Sequence, residues 1–533
     1  MACHSLRATH YSSLFIIGLI VAILTAIFQP APGYMDAEYY YAGGIQLVEG
    51  QGFNEPFLWN YLDDPSALPH PSHAYWMPLA SLLAALGMAI TGIHQFSAAR
   101  LFLIFLTACL PLLTAALTYS FQPKRQTAWL AGLLAIFPGF YLTFLVTTDT
   151  FAIYSVLGGL FFISAHFASS VHLTTPYPPR LLHASLPLMF GLLAGLMHLS
   201  RADGVLWLFA ALLMAAPMHW MTHRKRFFLQ VVSSVFLCIL GYLLIMAPWL
   251  MRNLSVFGGL LPAGGGRTLW LTDYDDLFIY PAALLTPARW WASGIGEILR
   301  ARLWALGLNL QTAFAVQGEI FLAPLILAAA WRLRGDRRVR LGALMWLLIF
   351  IVMTLLFPFA GARGGLFHSG AAVQPLFWAL AAVGLDVFVE WGGKRRGWQM
   401  ERAHKLFAAG LVGLAILLTA VTAYPKLAHW GQNEAINLQL EVELRKLGVA
   451  PGEVVMVNNP PGYYLATDRA AIPIPDGDVA MALAAAEKYH AQWLMLDENY
   501  PQGMKDLYHT PRDWPGLRYV ETFGQTQLFK IGE

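Results

Sequence analysis

Charge is scarce in this chain. Of 533 residues only 12% are Asp, Glu, Lys or Arg, about half the share of a soluble protein. The net charge is only +3, and its Lys and Arg gather in a few clusters, which excludes a nucleic-acid partner and points to membrane topology. Cysteine is nearly absent: Cys3 lies near the start, and Cys109 and Cys238 sit inside apolar runs. Three such residues support neither a disulfide framework nor a cysteine-based metal site. There is no phosphate-binding glycine pattern, internal repeat or low-complexity tract. The first apolar run, Ser12–Phe28, has no small-residue cleavage site before Pro30, so it reads as a retained helix and not a signal peptide.

What the chain does have is hydrophobic length. Apolar residues make up 57% of it, the mean hydropathy is +0.53, and many stretches approach the roughly 20 residues that span a bilayer. After Ser12–Phe28 the expected spans are Ala98–Phe121, Thr127–Val146, Thr150–Ala168, Leu182–Leu199, Val205–His219, Phe227–Ala247, Ala313–Trp331, Leu341–Phe357, Ala371–Val389 and Leu406–Val421. Basic clusters stand at Lys124-Arg125, Arg224–Arg226, Arg332–Arg340 and Lys394–Lys405. All fall on the cytoplasmic side with the N-terminus if Ala74–Ile93 does not cross, and all fall outside if it does. The positive-inside bias therefore makes that segment an outer-face interfacial helix, broken near its start by Pro78. The expected fold is a mostly α, polytopic bundle of about eleven spans in the cytoplasmic membrane, over residues 1–423. Residues 424–533 have ordinary soluble composition and form a small α/β domain on the outer face. Its amphipathic helix is Gln432–Leu447, its strands Glu453–Val457 and Trp493–Leu496, its second helix Val479–Tyr489, and its hairpin Arg518–Ile531 turns at Gly524. Pro460-Pro461-Gly462 reads as a turn.

That topology sorts the unusual polar groups to one side. The loop Pro30–His73 holds six carboxylates and no Lys or Arg, and Asp36 and Glu38 in PGYMDAEYYY stand where a span meets water, a costly and often functional place for charge. Asp36 also suits the N-cap of a helix beginning at Ala37, whereas helical geometry turns Glu38 elsewhere. Asp149 in VTTDTFAIY opens a later span, as an N-cap or a second acid able to hold a metal or tune the first. Arg201 with Asp203 closes an outer hairpin or offers a guanidinium to an anion. Arg252 and Arg267 lie outside against the positive-inside bias, bound to phosphate or to lipid headgroups. Arg363 and His368, in GARGGLFHSG, follow glycines that let backbone approach a ligand. Asp273, Asp275 and Asp276 offer a weak metal signal and read more simply as solvated loop acids; His70 and His73 could ligate a metal with a nearby acid but read as surface residues. Tyr39, Tyr40, Tyr41, Trp59, Tyr61, Tyr75 and Trp76 read mostly as an interfacial belt.

Taken together, MDAEYYYAGGIQLVEGQGF, LVTTDTFAIY, PWLMRN…FG and the TDYDD loop resemble GT-C fold membrane glycosyltransferases of the protein O-mannosyltransferase and aminoarabinose transferase group, over most of residues 1–390. The family's acid pair is usually adjacent, whereas Ala37 separates Asp36 from Glu38 here. The resemblance implies transfer of a sugar from a polyprenyl-phosphate donor to a protein, lipid or glycan acceptor at the outer face. Asp36, with Glu38 and Asp149, would do the chemistry, and Arg201, Arg252, Arg267, Arg363 and His368 would bind the donor phosphate. It implies no obligatory cofactor, with a divalent metal optional. The competing readings are a flippase for a lipid-linked glycan and a non-catalytic envelope assembly protein.

Overall fold

The computed structural model describes residues 11–174, 180–215 and 224–532. Cys3 and the last residues of the expected Val205–His219 span lie outside them. Each of the eleven expected spans contains an apolar helix. Among the described residues six helices are long and apolar enough to cross a membrane, from Phe96–Phe121 to Met400–Lys446, and a seventh arises if the bent pair Arg125–Ile136 and Gly139–Leu145 counts as one. The remaining four expected spans hold shorter apolar helices: Ser12–Ile27, Ser185–Ser200, Ala202–Ala215 and Ala323–Arg332. The segment assigned to the interface contains Leu79–Thr91, 13 residues and, like those four, shorter than a full bilayer span. Pro78 precedes it, and it packs on the helix Met35–Val48 through Ser81, whose hydroxyl donates to the Tyr40 carbonyl at 2.9 Å.

Small residues bring these helices together, as expected where lipid supplies no hydrophobic drive for association. The closest approach is at Gly158, in the helix Phe151–Thr174, where a Cβ would lie 1.8 Å from the Ala372 carbonyl oxygen. Only glycine allows the helix that follows Asp149 to press against the chain just after His368.

The loop after the first helix is folded, not splayed over the membrane. A two-residue strand β1 (Asn54–Glu55) pairs with β2 (His70–Pro71), and Tyr39, Tyr40 and Tyr61 are buried. The expected aromatic belt is therefore, for these residues, a packed core: Trp59 lies 4.2 Å from Trp76 and 4.7 Å from Tyr75 between ring centroids. His70 and His73, expected at the surface, are buried too. His70 pairs with Asp63 at 2.7 Å, and the His73 amide donates to the Tyr39 hydroxyl at 2.7 Å.

The C-terminal strands are β3 (Val454–Val457), β4 (Ala471–Pro473), β5 (Ala491–Leu496), β6 (Leu517–Phe523) and β7 (Thr526–Ile531). They form one sheet in the order β4-β3-β5-β7-β6. β4, β3 and β5 run parallel, and the hairpin β6–β7 adds antiparallel strands. Pro460-Pro461-Gly462 is not a turn but the start of the helix Pro460–Thr467. Proline is preorganised for a first helical turn, and the Asn459 side chain accepts the Gly462 amide. The three-residue β4 was not foreseen, being too short to carry a period. This sheet is docked on the first loop: the Leu58 amide donates to the Ala471 carbonyl at 3.0 Å and the Tyr61 hydroxyl to the Pro473 carbonyl at 2.5 Å. Leu58 and Tyr61 share a hydrophobic cluster with Met456, Ile472 and Leu494.

Burial, then the charge of Arg252, pushes His73 down to about 3. The unfolded chain takes up that proton near 6.5, so the stabilisation is present above pH 6.5 and is lost as pH falls toward 3. Acidification from pH 7 to 4.5 should therefore cost the wild type about 3 kcal/mol more than His73→Asn, read as a larger drop in melting temperature. Equal drops would contradict this assignment.

Candidate active site

Met35–Val48 is a helix whose N-cap, Tyr34, makes no side-chain cap bond. Asp36 is thus not the cap; it lies in the first turn, at the positive end of the helix dipole. Its carboxylate faces His368, with Oδ2 3.6 Å from Nε2, and retains about 32% exposure, enough to meet a ligand. On the other side of the imidazole, Asp149 Oδ2 lies 3.1 Å from the same Nε2. Asp149 is buried and accepts from the Tyr34 hydroxyl at 2.6 Å and from the Thr150 amide and hydroxyl. The His368 ring stacks on Phe151 at 4.0 Å, and its Nδ1 is 3.0 Å from the Gly364 carbonyl.

These contacts split the two acids. Burial, then the neighbouring Asp149 charge, raises Asp36 to about 6. Burial opposes ionisation of Asp149 too, but His368, the Tyr34 hydroxyl and the Thr150 amide outweigh it and hold Asp149 below the usual carboxylate range. One carboxylate stays charged while the other is poised to exchange a proton near neutral pH.

The cationic candidates separate. Arg201 is half-buried near the acids, paired with Asp203 at 2.9 Å and reaching Ser369 Oγ at 3.5 Å; its charge is felt at both Asp36 and Asp149. Arg363 lies where the backbone leaves helical geometry: Gly364 has φ +124°, a value glycine tolerates, and the guanidinium sits 4.8 Å from the Tyr274 ring centroid. Arg363, Tyr274 and Asp36 line one cavity of about 1300 Å³. Arg252 and Arg267 are not brought to it. Arg252 donates to the Phe53 and Ser72 carbonyls and lies against Phe53, Trp249 and Phe257, and Arg267 donates to the Leu62 carbonyl at 2.6 Å. Both staple the loop after the first helix, because carbonyls freed by its irregular backbone need donors.

Glu38 is also elsewhere. Two helical positions on from Asp36 it points to the C-terminal unit, buried, accepting from Asn459 Nδ2 at 2.7 Å; burial raises it to about 7. Asp276 accepts from the Thr272 amide and hydroxyl and from Arg289, a loop-closing acid, whereas Asp275 lines the cavity. Sequence reasoning missed Tyr34, Thr150, Ser369 and Tyr274. The available signal was local: Tyr34 stands two residues before Asp36, and Thr150 directly follows Asp149.

No protein-family model matches this sequence, nor does any curated protein. Solved structures do match. The oligosaccharyltransferase of Archaeoglobus fulgidus in its apo form aligns over 93% of this chain and 70% of its own, with TM-score 0.55 and 13% identity. The archaeal oligosaccharyltransferase AglB from A. fulgidus in complex with an inhibitory peptide and a dolichol-phosphate aligns over 91% and 69%, with TM-score 0.58 and 14% identity. ArnT from Cupriavidus metallidurans bound to undecaprenyl phosphate aligns over 98% of both chains, with TM-score 0.51 and 11% identity. The fold is GT-C. Within this GT-C fold, candidate metal donors converge: one ligand atom each from Asp36, Asp149 and His368 lies within 4.8 Å of the others. The set fits a divalent cation, since two carboxylates and one imidazole supply charge and a lone pair. The Gly364 carbonyl can hold Nδ1–H and so leave Nε2 free to bind. Another A. fulgidus oligosaccharyltransferase structure is a complex with Zn and sulfate.

Zn²⁺ titrated calorimetrically into the purified chain should bind, with affinity falling at least tenfold in His368→Ala. Gly158→Ala, which forces the Ala372 segment outward, should weaken it by about tenfold as a positional defect. Affinity unchanged by either substitution would place the cation elsewhere.

Proposed function

We propose that this chain is a membrane glycosyltransferase that moves a sugar from a polyprenyl-phosphate donor to an acceptor hydroxyl at the outer face of the cytoplasmic membrane. The observation that carries the reading is Asp36: a half-buried carboxylate, raised to about 6 and set against a charged partner, at the wall of a large cavity. A general base works best with a pKa near the working pH. Support also comes from the fold, shared with lipid-phosphate-bound ArnT and dolichol-phosphate-bound AglB. In this reading residues 1–423 hold the donor between spans, residues 424–533 cover the cavity from outside, and the N-terminus is cytoplasmic.

The acceptor hydroxyl gives its proton to Asp36 as its oxygen attacks the anomeric carbon. The bond from that carbon to the phosphate oxygen breaks, and its electron pair leaves with the polyprenyl phosphate. One displacement inverts the anomeric centre. Arg363 at the cavity wall stabilises the departing phosphate charge, and Arg201, behind Ser369, adds positive potential from within the protein. His368 and Tyr34 hold Asp149 ionised, which keeps Asp36 basic. A divalent cation held by Asp36, Asp149 and His368 would supply further charge neutralisation at the phosphate.

Membranes bearing the wild type, given a panel of polyprenyl-phosphate sugars, should transfer one of them. Asp36→Asn should lower the rate by 10²–10⁴-fold, the range of a lost general base, with donor binding retained. A flippase or assembly protein would keep its activity in that variant, and an Asp36→Asn enzyme transferring at wild-type rate would end this proposal. Arg363→Ala should lower turnover about tenfold or more, whereas Arg252→Ala should lower the melting temperature before it changes the rate of the folded enzyme.

A further inference from the structure

The cavity has a second wall, for which the sugar-transfer chemistry has no use so far. It is made by the C-terminal sheet. From β3 the chain runs through the helix Pro460–Thr467 to β4 on one side, then through Val479–Tyr489 to β5 on the other. β3 is therefore a topological switch point, and in open parallel sheets the crevice at the carboxyl ends of such strands is where ligands bind. The carboxyl ends here all open on the cavity that holds Asp36 and Arg363: Asn458 follows β3, Asp476 lies just past β4, and Asp497, Glu498 and Asn499 follow β5.

The chemistry of this edge is specific. The Asn458 side-chain amide donates to Asp497 Oδ1, which also accepts the Asn499 amide at 2.8 Å. That arrangement fixes one carboxylate and one amide at the mouth of the crevice. Glu498 and Asn499 are exposed, so no core requirement accounts for them. Amides that both donate and accept, carboxylates that accept from paired hydroxyls, and the half-buried Tyr500 with its hydroxyl on the same cavity are the groups that bind a hydroxyl-rich ligand. Charge narrows the class. Among the described residues lining the cavity six are acidic and one, Arg363, is basic, so an anionic acceptor would meet repulsion. Size allows two occupants, because about 1300 Å³ exceeds the roughly 300–1,000 Å³ of a one-ligand pocket. At β4, Phe57 already bridges Ala471, which blocks addition of a peptide strand at that point.

We propose that the carboxyl edge of β3, β4 and β5 is the acceptor site, and that it takes an uncharged, hydroxyl-rich glycan. The word acceptor rests on the sugar-transfer reading; the binding of a neutral glycan does not.

The test uses the full chain in lipid nanodiscs without donor, presented to an array of immobilised neutral oligosaccharides, matched uronate-bearing oligosaccharides and Ser/Thr peptides. Capture of neutral glycans is expected. It should fall at least tenfold in the exposed double variant Glu498→Ala/Asn499→Ala, whose melting temperature should match wild type, and likewise in Asn458→Ala. Capture of uronates or peptides instead, no capture of neutral glycans, or capture indifferent to the double variant overturns the proposal. The two readings fail separately. Sugar transfer to a peptide or anionic acceptor without glycan capture would sink the acceptor site and leave the transferase. Variant-sensitive glycan capture, with no transfer from any polyprenyl-phosphate sugar, would sink the transferase and leave the site.

Discussion

Two carboxylates share one imidazole at the edge of a membrane bundle, and the rest of the molecule is arranged around that crowding. Asp36 and Asp149 would repel strongly in so poorly solvated a place. The protein resolves the conflict asymmetrically. Asp149 receives a hydroxyl, an amide and the His368 ring, while Asp36 receives little besides the helix start it sits on and an opening to the cavity. The same asymmetry that lets the pair fold leaves one acid with spare basicity.

Position follows from packing that has nothing catalytic about it. The Gly158–Ala372 approach sets the distance between the helix after Asp149 and the segment carrying His368, and the Phe151 ring under His368 fixes its plane. The first loop is held from both sides: Arg252 and Arg267 fasten its carbonyls, and the C-terminal sheet extends it through Leu58 and Tyr61. Glu38, bonded to Asn459, ties the helix Met35–Val48 to the N-cap of the helix after β3. The helix that presents Asp36 thus reports directly to the sheet that closes the cavity.

Much of the architecture was legible in the sequence because its signals are one-dimensional. Apolar length marked the helices, basic clusters placed the short Leu79–Thr91 segment outside the set of spans, and period and turn residues marked Val479–Tyr489 and the hairpin at Gly524. Short or locally ambiguous pieces were not legible. β4 has three residues, and Pro460-Pro461-Gly462 starts a helix as readily as it makes a turn. Burial in the first loop was misjudged for a related reason: aromatic and histidine residues there, such as Tyr39 and His73, have the composition of an interface and acquire a core only when the loop folds on itself and against Trp249.

By itself the sequence determined that the chain is a membrane bundle with an α/β tail, and that acids and arginines stand at the ends of its helices, since hydrophobic length and charge are properties of single segments. Only the tertiary structure decided which of those charges meet. Asp149 stands 113 positions after Asp36 and His368 a further 219 along the chain, yet the three converge through helix packing, while Glu38, Arg252 and Arg267 turn to other backbone and side-chain partners. Spacing in sequence carries no information about such long-range contacts; the close approach of helices, set by where glycine replaces a side chain, does.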